Sequence, residues 1–205
     1  IFMTLLLING WNKKTLCAIL GNIGGLAVAG VVAIIMSKLL KVSGFVDEEY
    51  VFIMVAQLNK PLDLIGLVWS GIVIGSLGAV MDVAMSISSA MNELSENMEN
   101  KTFKKMLKSG MNIGRDAIGT MTNTLILAYV GSSIATVLLL TMYSANLTYL
   151  FNIEMIVVEV LQAIVGSLGI LFAVPSTALF AAYIFTKNDS SYIYTKKDDI
   201  GGIKI

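Results

Sequence analysis

Polar residues are sparse along this chain, and their positions decide its elements. The central apolar stretch covers residues 64–94, LIGLVWSGIVIGSLGAVMDVAMSISSAMNEL. No charge occurs from Leu64 to Met81, and then Asp82 interrupts the run. A continuous helix over this stretch is roughly 46 Å long, more than the hydrocarbon layer of about 30 Å. Gly75, Gly78, Asp82, Ser86, Ser89 and Glu93 recur every three or four residues, so they form one small, polar stripe. Ile72, Leu77, Val80, Val83 and Ile87 fall largely elsewhere on the same helix.

The same reading divides the rest of the chain. Residues 1–9 are too short to span and read as the last turns of a helix. The chain begins with Ile1 inside an apolar run, which predicts that a longer protein precedes it. Asn9-Gly10 is a turn signal, and Trp11, Lys13 and Lys14 read as an interfacial anchor. Residues 15–40 form a span rich in Gly21, Gly24, Gly25 and Gly30. Residues 41–63 are mixed; EEYVFIMVAQL is either an interfacial helix or an extension of the second span, and it stops before Asn59-Lys60-Pro61.

Residues 92–116 are too charged to span. Phe103, Met106, Leu107, Met111 and Ile113 oppose Lys101, Lys104, Lys105 and Lys108, which predicts an amphipathic helix lying on the cytoplasmic face. Residues 117–142 are uncharged and long enough to cross. The last span covers residues 154–186, with Glu159 and Gln162 early and Pro175 late, and residues 188–205 form a polar, loosely attached tail. The expected architecture is therefore an all-α, polytopic membrane helix bundle over residues 1–187. It has about five spans (1–9, 15–40, 64–91, 117–142, 154–186) and one amphipathic link.

Composition agrees and excludes other classes. The 205 residues are 56% hydrophobic and 14% charged, with a mean hydropathy of +0.80; soluble domains carry about 25% charged residues. There is no His and one Cys, Cys17, so the common zinc sites and an internal disulfide are excluded. No cofactor and no metal site are expected. Net charge is zero, which removes the electrostatic basis for nucleic-acid binding. Placing the Lys13/Lys14 turn, the 92–116 link and the C-terminus on one side gives that side 11 of the 14 basic residues. The bias predicts a cytoplasmic C-terminus.

Within the spans, Asp82 is the leading candidate for function. A carboxylate at bilayer depth costs roughly 3 kcal/mol on insertion scales, so its default reading is an ion or proton site facing a protein or water-filled interior. The bland reading is a packing stripe with one tolerated acid. Thr120, Asn123 and Thr124 share a helix face, with Thr122 beside them, at a depth similar to Asp82. Together with Ser86 and Ser89 they offer oxygens for a proton or cation, unless each Thr bonds back to its own helix. Arg115 and Asp116 either match the helix dipole and lipid phosphates or join the path. Glu159 and Gln162 are interfacial or an outer station on it. Glu93 is a further accessory. Gly75 and Gly78 serve helix packing. A protease would need a second acid at matching depth, and Glu159 lies at the wrong end; an enzyme of any kind is not expected.

GSLGAVMDVAMSISSAMNEL followed by KTFKKMLKSGMNIGRDAIGTMTNTLILAYVG resembles the YibE/YibF-like family of bacterial multi-spanning membrane proteins. More distantly, the order of elements is similar to one six-helix half of the SecD/SecF and resistance-nodulation-division transporters. Gly78 and Asp82 match a G-x-x-x-D helix, and Arg115 with Thr120, Thr122 and Thr124 roughly matches a second helix start. That likeness implies that Asp82 couples transport to a proton or sodium gradient and that two half-bundles face each other. The expectation is a permease subunit in the lipid bilayer of the bacterial plasma (inner) membrane, paired as a homodimer or with a related subunit. The alternative is a non-transporting scaffold in which Asp82 is an interhelical contact, with Arg115 or with another chain.

Overall fold

The structure, a computed structural model, describes residues 2–40, 42–44, 46, 48–56, 63–98, 101–143, 147–150 and 152–200, with the side chains of α7 described to Lys187. Every regular element among them is an α-helix: α1 (Phe2–Asn9), α2 (Lys13–Leu40), α3 (Glu48–Ala56), α4 (Leu64–Asn97), α5 (Phe103–Tyr143), α6 (Leu147–Leu150) and α7 (Glu154–Ile200). Four of these, α2, α4, α5 and α7, are long and apolar enough to cross a membrane. The chain is therefore a helical membrane protein. α1, with eight residues, is too short to cross, so the expected count of about five spans stands at four full-length helices.

Local signals account for the helix ends. Gly10 takes φ 71°, the left-handed conformation open to glycine, and its N–H donates to the Leu6 carbonyl at 2.9 Å. Asp63 caps α4: its Oδ1 accepts the Gly66 N–H at 3.0 Å. α3 is separate from α2, not an extension of it. The Asn59-Lys60-Pro61 stop lies outside the described residues.

Three boundaries differ from the sequence reading. α4 continues past residue 91 to Asn97, and α7 continues past residue 187 to Ile200. The expected link and fourth span are one helix, α5, with no break at residue 117. Its lysines Lys104, Lys105 and Lys108 are exposed, while Met106, Gly110 and Gly114 are buried. A Cβ at Gly110 would sit 2.5 Å from Met91 Sδ, and one at Gly114 would collide with Val174. The glycines thus let α5 press against α4 and α7 where charge alone suggested a helix lying on the surface.

The chain folds as two compact units. The first comprises residues 1–25, 81–119 and 171–205. Its core is Cys17 and Ala18 of α2, Val83, Ile87 and Met91 of α4, Met106 of α5, and Ala173, Val174 and Ala178 of α7. The Ser88 hydroxyl donates to the Lys14 carbonyl at 2.6 Å. α2 and α7 approach closely enough that a Cβ at Gly24 would lie 2.7 Å from Ser176 Cβ.

The second unit comprises residues 26–80 and 120–170. Its core gathers Ala29, Ala33, Val68, Trp69, Ile72, Leu161 and Val165. The start of α7 is tied to the chain after α2 by Glu154, whose carboxylate accepts the Ser43 hydroxyl at 2.5 Å and the Gly44 N–H at 2.6 Å. Gly44 takes φ 90°, and a Cβ there would meet Leu64 Cβ at 2.9 Å. The apolar window of α5 has none of its residues buried, so Leu127, Val130, Leu138 and Leu139 are exposed.

Candidate functional site

The helical period of α4 separates two faces. Val80, Val83, Ala84, Ile87, Ser88 and Met91 are buried, whereas Gly75, Gly78, Asp82, Ser86 and Glu93 are exposed and Ser89 is half-buried. From Gly78 to Glu93 the stripe points away from the packed core, whereas at Gly75 a Cβ would meet neighbouring side chains. The expectation that Asp82 faces an enclosed interior is not met inside one copy: the apolar side of α4 takes the core, and the polar side is left outside. Among the described residues no side chain hydrogen-bonds or ion-pairs with Asp82. Glu93, one turn from the end of α4, accepts the Asn97 amide at 3.3 Å.

Arg115 and Asp116 belong to the same unit as Asp82 and are also exposed. Counted from the ends of α4 and α5 at 1.5 Å per residue, Asp82 and Arg115 lie at roughly similar levels, about 22 and about 18 Å along their helices. No ion pair joins them among the described residues.

The hydroxyls of α5 do not act as one face. Thr120, Asn123 and Thr124 are exposed, and the Thr124 hydroxyl donates to the Thr120 carbonyl at 2.9 Å, which spends it on its own helix. Thr122 turns the other way, its Oγ1 buried without a hydrogen-bond partner. It lines a cleft of about 640 Å³ inside the second unit, between α5 and α7. Glu159 stands in the wall of that cleft. The structure therefore brings Thr122 and Glu159 to one cavity and leaves Thr120, Asn123 and Thr124 off it.

Behind the cleft wall, Gln162 and Tyr129 converge on Gly75. A Cβ there would lie 2.7 Å from Gln162 Nε2 and 3.4 Å from the Tyr129 hydroxyl. That hydroxyl is also buried without a partner. Sequence reasoning did not single out Tyr129, although a tyrosine seven residues after Thr122, in the middle of an apolar span, was the available signal. It also passed over Asn22 of α2, which is buried in the first unit with both amide atoms unpartnered. Among the described residues no group of three or more His, Cys, Asp or Glu side chains could hold a metal ion.

A protein-family model described as YibE/F-like protein matches residues 1–187. No curated protein and no solved structure matches the chain. The likeness to SecD/SecF and resistance-nodulation-division transporters finds no support in these comparisons.

Proposed function

The chain belongs to the YibE/F-like family, and we propose that it works as a permease subunit whose ion-coupling group is Asp82. The observation that carries this reading is the exposed, unpaired carboxylate on the small-residue stripe of α4. An acid turned toward acyl chains is costly, whereas one turned toward a second subunit or a wet seam is usable. Gly78 and Ser86 beside it are small enough for another helix to come close. The subunit is then completed by a copy of itself or a related chain, and a proton or cation passes at the seam, with Ser86 nearby to supply oxygen. In this reading the subunit sits in a bacterial inner membrane, and the 11 basic residues grouped on one side support a cytoplasmic C-terminus.

A second reading has its own observation. Asp82 and Arg115 are both exposed in one unit, at similar levels and unpaired, so two copies related by a two-fold axis can pair Asp82 of each with Arg115 of the other. In that case the acid is a structural contact in a scaffold. Ion flux in proteoliposomes, wild type beside Asp82→Asn, separates the two. Loss of flux with the oligomer intact supports coupling. Absence of flux in both proteins, with a broken oligomer in the variant, refutes it.

A further inference from the structure

The part of α5 in the second unit carries an amide that its own chain leaves uncovered. Leu125 lies against α7, because a Cβ at Gly166 would sit 2.8 Å from Leu125 Cδ2. The crossing part of α7 runs from Glu154 to Lys187, and Gly166 is roughly 18 Å from the first and roughly 32 Å from the second along the helix. Leu125, and Asn123 two residues before it, therefore lie at hydrocarbon depth. Asn123 is exposed, and nothing among the described residues hydrogen-bonds its amide. Acyl chains offer neither donor nor acceptor, so an amide left against them is costly.

Asn123, Leu127, Gly131 and Ala135 recur at every fourth position and are all exposed, so they form one ridge inclined to the helix axis. A Cβ at Gly131 would meet nothing within 4 Å, and its own chain thus has no packing use for this glycine. None of the apolar window of α5 is buried, against 33% in each of the other three crossing helices; α5 is the span with the most surface left to cover.

We propose that this ridge is a contact between two copies of the chain, α5 against α5 about a two-fold axis, with the Asn123 amides paired inside the bilayer. A carboxamide both donates and accepts, so two of them related by a two-fold axis satisfy each other. That self-complementarity selects a second copy as the occupant. The neighbouring hydroxyls do not compete for the amide proton acceptor, because each is spent on its own helix: Thr124 donates to the Thr120 carbonyl at 2.9 Å and Ser132 to the Tyr129 carbonyl at 2.8 Å. Gly131 and Ala135, four residues apart, let two backbones approach closely in the right-handed crossing that small residues at this spacing favour. The pairing requires only that α5 crosses the bilayer and does not rest on the role proposed for Asp82.

The test is disulfide crosslinking of the full chain in native membranes. Cys17 is the one cysteine of the sequence and is buried, so single cysteines are introduced on a Cys17→Ala background. Leu127→Cys and Ala135→Cys are expected to crosslink into dimers under mild oxidation, and Ile126→Cys and Val137→Cys, exposed on other sides of α5, far less. Dimer dissociation in liposomes, followed by energy transfer between labelled copies, gives the energetic readout. Asn123→Leu should raise the dissociation constant about tenfold, Asn123→Gln should retain most of the affinity, and Gly131→Ile should abolish the dimer. None of these side chains packs inside its own chain, and the crosslinking pattern stands alone if a variant fails to fold. Equal crosslinking at all four α5 positions overturns the proposal, as does a chain that is monomeric in liposomes. A dimer that crosslinks through Gly78→Cys on α4 but not through α5, or one unaffected by both Asn123→Leu and Gly131→Ile, overturns it as well.

Discussion

Gly21 and Gly30 lie on the same helix, and the same substitution should have opposite effects at the two. At Gly30 a Cβ meets nothing within 4 Å, whereas at Gly21 it lies 2.7 Å from Thr177 Cβ and 2.9 Å from Thr177 Cα. Carbon atoms prefer about 3.5–4.0 Å, so at least half an ångström must be found. One of the atoms in the way is backbone, and therefore α2 or α7 has to shift. Overpacking of this kind costs about 1–3 kcal/mol. Both variants also gain up to about 1 kcal/mol of helix propensity from Gly to Ala. Gly30→Ala should then be neutral or slightly stabilising, and Gly21→Ala should lie about 2 kcal/mol below it. For a chain of this length that is roughly 4–8 °C in Tm. Thermal unfolding in one detergent, followed by loss of the monodisperse peak, reads the difference. Thr177→Gly added to Gly21→Ala removes two of the three clashing atoms and should recover part of the loss relative to Thr177→Gly alone. Equal Tm for the two single variants would refute the close approach of α2 and α7.

Two further outcomes follow from the packing. Asn22 has both amide atoms buried and unpartnered, so Asn22→Leu, similar in size, should raise Tm by removing polar groups whose burial costs about 1–3 kcal/mol each; a fall in Tm would mean the amide is satisfied in the membrane. Glu154→Ala removes the acceptor of both the Ser43 hydroxyl and the Gly44 N–H, and should cost about 1–3 kcal/mol together with faster proteolysis near residue 43; unchanged cleavage would refute that tie.

Much of the fold was legible in the chain. Long uncharged runs predict membrane helices because a buried backbone must satisfy itself, and α2, α4, α5 and α7 appear where those runs lie. The stripe on α4 was legible too, because spacings of three and four close onto one face whatever surrounds the helix. The continuity of α5 was not: its lysines suggested a separate surface helix, and the counter-signal, Gly110 and Gly114 fitting against Met91 and Val174, exists only once α4 and α7 are in place. Glu159 read first as an interfacial residue, with an outer station on the ion path as the alternative. Its position on a cleft depends on how α5 packs, and no residue of the α5 apolar window is buried.

The sequence by itself determined which segments are helices, which of them are apolar enough to cross, and which residues share a face. Only the tertiary structure decided which face turns inward. In water an apolar stripe identifies the core. In a bilayer the lipid is as apolar as the core, and the two sides of a spanning helix are no longer distinguished by hydrophobicity. Shape decides instead: Val83, Ile87 and Met91 interlock with neighbours, and the side that carries Asp82 remains exposed.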